Sequence, residues 1–336
     1  MALFPFFKGR EFLCLTNFMK KTNYYFSNIE CDFYPCHEYS KTRQFNCLFC
    51  YCPLYNLKKC LGNPKYILND KGQKIRSCSD CIFPHIPENY DKIVSYLMNQ
   101  NEILNIELLE LKKNMNFRLA KISGFENMGL EMRQEHETIA EYIYESYLKD
   151  AEIEVLLQPF SKKCVREQGF HFNDDVEIRC DILERLGLEQ EDIILGYFYT
   201  FHAPEFSREL EEKYERLPLL EQYYVENWLI AVLDAGREWI RNYLFRKNSI
   251  RHSCYVTDSF GPGFYGMTIE ALPQFFKIID SKSVGVMLTE SGNLNPLKSC
   301  IGIYLVTKKD VSHLMGHDCV NCAGNKFGCN ACRDSK

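Results

Sequence analysis

Hydrophobic side chains return at a helical period between residues 91 and 150. Apolar residues recur every three or four positions, as at Ile103, Ile106 and Leu109, and this spacing places them on one side of a helix. The positions between them are rich in Glu and Lys. The pattern predicts two charged, amphipathic helices that link a smaller N-terminal part of the chain to a larger C-terminal part.

Two stronger signals follow in the C-terminal part. Residues 193–200 (IILGYFYT) form an apolar run that predicts a buried strand. An apolar stripe then runs from Val225 to Tyr243, which predicts a long helix. Pro218 precedes this stripe, and proline is favoured at the start of a helix.

A loop and two strand ends organise the region from Ser259 to Val306. The segment SFGPGFYGM predicts a sharp loop, because glycine and proline favour turns. A ligand can approach its main chain closely, since Gly261 and Gly263 carry no Cβ. The elements expected after it are a helix near Leu272–Ile279, a strand ending at Glu290, a turn at 292–296 and a strand over Ile301–Val306.

Composition describes an ordinary globular protein of about two domains. Of the 336 residues, 46% are hydrophobic and 25% are charged, as in typical soluble domains. The net charge of −5 indicates no basic surface for nucleic acid or an anionic membrane. No apolar run approaches the roughly twenty residues that span a bilayer. We therefore expect neither nucleic acid nor membrane as a partner.

The first residues lack the pattern of a signal peptide, because their charges follow the apolar part instead of preceding it. This favours a cytoplasmic location. We interpret residues 1–23 as an N-terminal extension, in which Met19 is a second candidate start.

Cysteine is the compositional outlier, with seventeen residues. In a chain without an export signal, clustered Cys-x-x-Cys pairs indicate metal before disulfide. Residues 24–90 are therefore predicted to be a metal-binding domain, and tetrahedral zinc takes four such ligands, so two or more ions are expected. Histidines inside the cluster favour zinc, while an iron–sulfur cluster stays an alternative. The candidate ligands are Cys31, Cys36, His37, Cys47, Cys50, Cys52, Cys60, Cys78, Cys81 and His85.

A second cysteine group lies in the tail, residues 311–336. Its four thiols can close around one ion or one iron–sulfur cluster, and the pattern leaves both open. Such a cluster would be a one-electron donor, whereas zinc would only hold the terminus. The candidate ligands are Cys319, Cys322, Cys329 and Cys332.

The N-terminal cysteine region resembles the cysteine-rich small domain, a zinc module found joined to, or near, corrinoid-synthesis enzymes. The segments ECDFYPCH, FNCLFCYCPLY and CSDCIFPH carry the resemblance. It implies a metal-dependent docking or corrinoid-handling module, or else a structural zinc scaffold.

Residues 151–310 resemble the activation domain of cobalamin-dependent methionine synthase. The resemblance lies in Pro262-Gly263 followed by an aromatic residue, in LTES at 288–291, and in Gly302 and Tyr304. It implies an α+β fold with a curved, mostly antiparallel sheet. It also implies that S-adenosylmethionine binds here and methylates an oxidised corrinoid, with an electron from an outside donor.

The resemblance also implies which residues hold the methyl donor. These are Asp234, Gly261, Pro262, Gly263, Phe264, Thr289, Glu290 and Ser291. Two positions depart from the family: Ser259 stands where an arginine is expected, and Phe264 where a tyrosine is expected. The arginine that would grip a carboxylate in bidentate fashion is therefore missing.

The resulting hypothesis is reactivation of a corrinoid-dependent methyltransferase or corrinoid protein by methyl transfer from S-adenosylmethionine. The chain has no Asp-x-His-x-x-Gly segment to place an axial histidine on cobalt, so the cobalamin is expected on the partner. Two alternatives are a non-catalytic zinc-binding adaptor for a corrinoid protein and an iron–sulfur electron-transfer protein. No catalytic residue is identified, because Cys254 and Cys300 are more typical of buried free cysteines than of nucleophiles.

Overall fold

A computed structural model gives the structure of most of the chain. It divides into two compact units, residues 1–98 (unit 1) and 99–336 (unit 2). The expected class is confirmed: an α+β protein with a curved antiparallel sheet, preceded by a cysteine-rich module. The residues described are 25–37, 44–57, 60–98, 100–172, 175–205, 208–250 and 253–315.

Unit 1 contains little regular structure. Its described strands and α-helix are β1 (Lys65–Leu68), β2 (Lys74–Ser77) and α1 (Tyr90–Met98), and two 3-10 helices span Phe83–His85 and Pro87–Asn89. The two strands form an antiparallel hairpin, and side chains of both strands are largely exposed. Phe45, Leu54 and Ile93 are buried, but the two hydrophobic clusters found among the described residues consist of unit 2 residues. Unit 1 therefore needs a source of stability besides apolar burial.

Unit 2 is built on a five-stranded antiparallel sheet with the order β3-β4-β8-β12-β9. The strands of unit 2, which include those of two smaller sheets (β5-β6-β7 and β10-β11), are β3 (Glu102–Glu107), β4 (Glu152–Ser161), β5 (Val165–Arg166), β6 (Gly169–Phe172), β7 (Val176–Arg179), β8 (Ile193–His202), β9 (Tyr255–Val256), β10 (Met287–Leu288), β11 (Leu294–Asn295) and β12 (Ser299–Thr307). Its helices are α2 (Leu108–Ile122), α3 (Leu130–Tyr147), α4 (Ile182–Leu186), α5 (Arg208–Lys213), α6 (Leu219–Ser249), α7 (Leu272–Phe275) and α8 (Ser312–Met315).

The central strands are buried on both faces, which explains their continuous apolar sequences. In β8, Tyr197 and Tyr199 belong to the cluster formed with α2, α3 and α6. Phe198, which lies between them and points the other way, belongs to the cluster formed with β6, β7 and α7. The sheet is thus covered by helices on one side and by shorter elements on the other.

The predictions for the central strands and the long helix are confirmed. β8, α6 and β12 include the segments expected from 193–200, from the stripe after Pro218 and from Ile301–Val306. The helix expected near Leu272–Ile279 is shorter, because α7 ends at Phe275. The strand expected to end at Glu290 also stops early, at Leu288, where a hairpin turn to β11 begins.

The expectation of two linking helices over residues 91–150 is wrong for part of that range. Residues 102–107 form β3, which pairs with β4 so that Ile106 lies opposite Ile153. Helices α2 and α3 follow within unit 2 and contribute buried residues, including Met115 and Ile143, to its core. A segment of six residues fits both a helical and an alternating pattern, so the available strand partner decided its structure.

The described helices include none that combines the length and the apolar character needed to cross a membrane.

Candidate metal centre

Cys36, His37 and His85 converge in unit 1. One ligand atom from each residue lies within 4.8 Å of those of the other two. Cys36 and His37 follow a turn in which the Tyr34 N–H donates to the main-chain oxygen of Cys31 at 2.8 Å. His85 ends a short 3-10 helix that begins at Phe83 and has proline in its first turn. Two local turns therefore present the ligands, and the main-chain bond from Asn46 to His85 joins the two segments.

The His85 ring is oriented by its surroundings. Its Nδ1 lies 2.9 Å from the main-chain oxygen of Asn46, and the Asn46 N–H donates to the main-chain oxygen of His85 at 2.8 Å. The ring also stacks on Phe45, with centroids 4.4 Å apart and planes inclined by 12°. Because a carbonyl oxygen only accepts, we assign the proton to Nδ1, which leaves the Nε2 lone pair to bind a metal.

His37 contributes a second imidazole, and one of its ring nitrogens lacks a hydrogen bond. Its Nδ1 is buried and has no hydrogen-bond partner, an arrangement that costs free energy unless an ion completes it. Burial lowers the pKa of His85, and His37 lowers it further, while the contact with Asn46 opposes them. The neutral imidazole, which is the form that binds metal, is therefore favoured at His85.

Further thiols surround Cys36. Partial burial raises the pKa of Cys36, and the neighbouring Cys50, Cys47 and Cys31 raise it further. The Cys50 N–H donates to the Cys47 oxygen at 3.1 Å, and the Cys47 sulfur accepts from the Asn28 N–H at 3.5 Å. Thiolates held this close together repel one another, and a bound cation would remove that repulsion.

A cavity of about 50 Å³ lies in the same unit. It brings together most of the ligands predicted there, and its volume is enough for an ion. The predicted ligands on its wall are His37, Cys50, Cys52, Cys60, Cys78, Cys81 and His85. These donors fit a bound metal, and a set of thiolates and imidazoles suits zinc. The four tail cysteines, Cys319, Cys322, Cys329 and Cys332, lie outside the described residues.

The carboxylate of Asp234, predicted to hold a methyl donor, is engaged by two arginines. Arg118 pairs with one of its oxygens and Arg237 with the other, and only 10% of the Asp234 side chain is exposed. Burial alone would raise the pKa of Asp234, but Arg237 and Arg118 outweigh it and hold the pKa below its usual value. Asp234 is therefore ionised and already paired.

The Gly261–Phe264 loop is closed on itself. The Phe264 ring packs on Gly261 so tightly that a Cβ there would lie 2.5 Å from the ring Cζ. The Arg237 guanidinium lies 5.5 Å from the centre of the same ring, so Arg237 contacts both Asp234 and the loop. Ser259 is buried, and its hydroxyl lies 2.5 Å from that of Tyr199.

The other residues predicted for the methyl donor lie at the turn between β10 and β11. Thr289 Oγ1 lies 2.9 Å from Ser291 Oγ and accepts from the Asn293 N–H at 3.0 Å. Glu290 and Ser291 are exposed. The side chains of Thr289 and Ser291 bond within their own turn, so their visible role is to shape the hairpin.

Two cysteines considered as nucleophiles have the properties of unreactive thiols. Cys254 is 5% exposed and lies 3.6 Å from the Ser249 hydroxyl. Burial raises the pKa of Cys300 to about 11, although Arg237 nearby lowers it. A protonated thiol is a poor nucleophile.

The sequence reasoning did not identify Arg118, Arg237 or Asn46 as parts of a site. The spacing Asp234-x-x-Arg237 on a helix indicates a possible ion pair and could have drawn attention to Arg237. No local pattern marks Arg118, which comes from another helix. The Asn46 group that orients His85 is a main-chain oxygen, which any residue would supply.

Comparison with known proteins supports the cysteine-rich unit. A family model described as a cysteine-rich small domain matches residues 22–107. That range covers the described residues of unit 1 and continues through β3 of unit 2. No curated protein matches the chain. The match shows a cysteine-rich small domain, and the converging ligands within it fit a metal-binding group.

Proposed function

We propose that this protein is a zinc-binding adaptor for a corrinoid protein or a cobalamin-dependent methyltransferase. The observation that carries the proposal is the convergence of Cys36, His37 and His85, in which His37 Nδ1 is buried without a hydrogen-bond partner. The corrinoid partner follows from the resemblance of residues 151–310 to an activation domain, whose expected fold class the chain has.

Zinc has a structural role in this proposal. Cys36, His37 and His85 supply three ligands, and Cys50 is the candidate fourth, since it lines the cavity with both histidines and acts electrostatically on Cys36. Such a closed tetrahedral site leaves no position for a substrate. Because unit 1 has little apolar core, bound zinc supplies much of the free energy that folds it.

The residues predicted to hold the methyl donor in unit 2 are already engaged with other residues, and this favours an adaptor over a methyltransferase. A methyl donor that used Asp234 would have to displace at least one arginine, and breaking a buried ion pair costs about 3–5 kcal/mol. It would also have to move Phe264 off Gly261. Ser259, which replaces the expected arginine, hydrogen-bonds with Tyr199 and cannot grip a carboxylate as arginine does.

The test combines metal analysis with calorimetry on protein purified without oxygen. We expect zinc, no heat of binding with S-adenosylmethionine, and binding to a cobalamin-dependent methionine synthase that lacks its own activation domain. Absence of zinc would overturn the metal-binding part of the proposal. Failure to bind that methyltransferase, or any oxidised corrinoid protein encoded beside the gene, would overturn the adaptor part.

Reductive reactivation is the second candidate, favoured by the position of Asp234 beside the Gly261–Phe264 loop through Arg237. In that reaction an outside donor reduces cobalt by one electron, and the cobalt then takes the methyl group from the sulfonium to leave S-adenosylhomocysteine. Measurable binding of S-adenosylmethionine and restored methylation of an oxidised corrinoid protein would establish it. If the same preparation contains iron and sulfide in cluster ratio, the electron-transfer alternative replaces both proposals.

A further inference from the structure

We infer that unit 1 holds a second metal site, made of the four thiolates of Cys52, Cys60, Cys78 and Cys81. All four line the cavity of about 50 Å³, as His37 and His85 also do, but none of the four belongs to the group formed by Cys36, His37 and His85. The inference rests on the proposed metal-binding role of unit 1 and assigns a distinct ligand set within it.

Unit 1 holds more candidate donor atoms than one zinc ion can bind. Cys36, His37 and His85 already bring three donor atoms within 4.8 Å of one another. Adding the thiols of Cys52, Cys60, Cys78 and Cys81 would give seven donors, whereas zinc in structural sites takes four. The surplus donors are all thiols, the ligand type that a structural zinc site with four cysteines requires.

Short turns present these thiols in the geometry of a metal knuckle. The Cys81 N–H donates to the Cys78 oxygen at 3.0 Å, and the Tyr55 N–H donates to the Cys52 oxygen at 3.0 Å. A turn of this kind directs two sulfurs spaced as Cys-x-x-Cys toward one point. Cys78 and Cys81 thus form one half of the site.

Arg76 fixes the Cys52 turn against the strand that leads to Cys78. Its Nη1 donates to the main-chain oxygens of Leu54 and Tyr55 at 2.8 and 2.6 Å, and its Nη2 donates to that of Leu57 at 2.9 Å. The Tyr55 hydroxyl donates back to the Arg76 oxygen at 3.1 Å. The guanidinium also places a positive charge beside a group of thiolates that would keep a net negative charge with zinc bound.

Gly62 brings the Cys60 segment against the Cys78–Cys81 turn. A Cβ at Gly62 would lie 3.1 Å from the Cys81 sulfur and 3.2 Å from Phe83 Cβ. The main chain two residues after Cys60 therefore packs directly on the Cys81 thiol, as a glycine allows. The three segments that carry the four cysteines are thus held together by contacts that involve no metal.

Thiol footprinting of the zinc-loaded, full-length protein tests the site without any substitution. We expect iodoacetamide to leave Cys52, Cys60, Cys78 and Cys81 unmodified until zinc is chelated, as read by mass spectrometry of the peptides. Cys164 in unit 2 is half-buried and serves as the control, with the same labelling before and after chelation. Labelling of any two of the four thiols at the metal-free rate in the loaded protein would overturn the site.

Zinc content of variants then separates the two sites. We expect Cys78→Ser and His85→Ala each to lose about one equivalent of zinc and the double variant about two. Any zinc bound by the tail cysteines is the same in every variant and does not affect these differences. If Cys78→Ser keeps the wild-type content and His85→Ala does not, the second site fails and the first stands. If neither variant loses zinc, the metal-binding part of the proposed function fails as well.

Discussion

The imidazole rings of His37 and His85 lie with their centroids 4.9 Å apart and their planes inclined by 48°. Two imidazoles this close repel each other when both are protonated, and His37 indeed lowers the pKa of His85. A shared cation converts the same arrangement into a favourable one, because neutral imidazoles are good zinc ligands. With the proposed zinc bound, this pair would link the stability of unit 1 to the metal.

Removing the metal should unfold unit 1 and leave unit 2 folded. Both tryptophans of the chain, Trp228 and Trp239, are in α6 of unit 2, so their fluorescence reports that unit alone. We expect a chelator to make the unit 1 cysteines reactive toward Ellman's reagent while the tryptophan emission maximum stays constant. A shift of that maximum on chelation would show that unit 2 also depends on metal.

His37→Ala should remove one ligand of the first centre. We expect the zinc content to fall by about one equivalent and Cys36 to become open to alkylation, since its metal partner is lost. His171→Ala is the matched control, because His171 lies in unit 2 with 43% of its side chain exposed and should leave the zinc content unchanged. Equal zinc in both variants would remove His37 from the ligand set.

Asp234→Asn should destabilise unit 2, because two arginines would then share a buried site without a carboxylate. Removing one partner of a buried ion pair typically costs about 3–5 kcal/mol, and Arg118 and Asp234 are only 9% and 10% exposed. Urea unfolding followed by tryptophan fluorescence measures the loss. Asp181→Asn breaks the exposed pair with Arg179 and should change the midpoint little. Similar losses in both variants would mean that the buried pair is not a special source of stability.

The same pair predicts a pH dependence with a definite sign. Because Arg237 and Arg118 hold the pKa of Asp234 below its usual value, its contribution is complete above the unfolded pKa of about 4. It is lost as the pH falls through the lower folded pKa. We therefore expect the difference in unfolding free energy between wild type and Asp234→Asn to be constant near neutrality and to shrink in acid. A difference that grows in acid would contradict this assignment.

Tyr199 and Ser259 should be coupled through their hydroxyls, which lie 2.5 Å apart in the core. We expect Tyr199→Phe and Ser259→Ala each to cost about 1–2 kcal/mol, and the double variant to cost less than the sum, because each single change leaves one buried hydroxyl unpaired. Tyr142→Phe, at a position that is 52% exposed, controls for loss of a tyrosine hydroxyl. Strict additivity would show that the two hydroxyls do not interact.

Much of the fold was accessible from the sequence because the signals were local and long. The apolar run in β8 and the stripe in α6 identify a buried strand and a long helix without a partner being known. Residues 102–107 show the limit, since so short a pattern suits either a helix or a strand until pairing with β4 selects the strand. A long apolar pattern is enough to identify a helix or a strand, whereas the structure of a short segment depends on the element it packs or pairs with.

The sequence by itself indicated metal binding in unit 1, because the type and spacing of its cysteines and histidines are typical of metal ligands. Only the tertiary structure decided which donors meet: it placed His37 beside His85 and put five cysteine thiols around one cavity. It also showed that Asp234 is held by Arg118 and Arg237. A side chain's chemical type is fixed by its residue, but its partner is fixed by where distant segments of the chain come together.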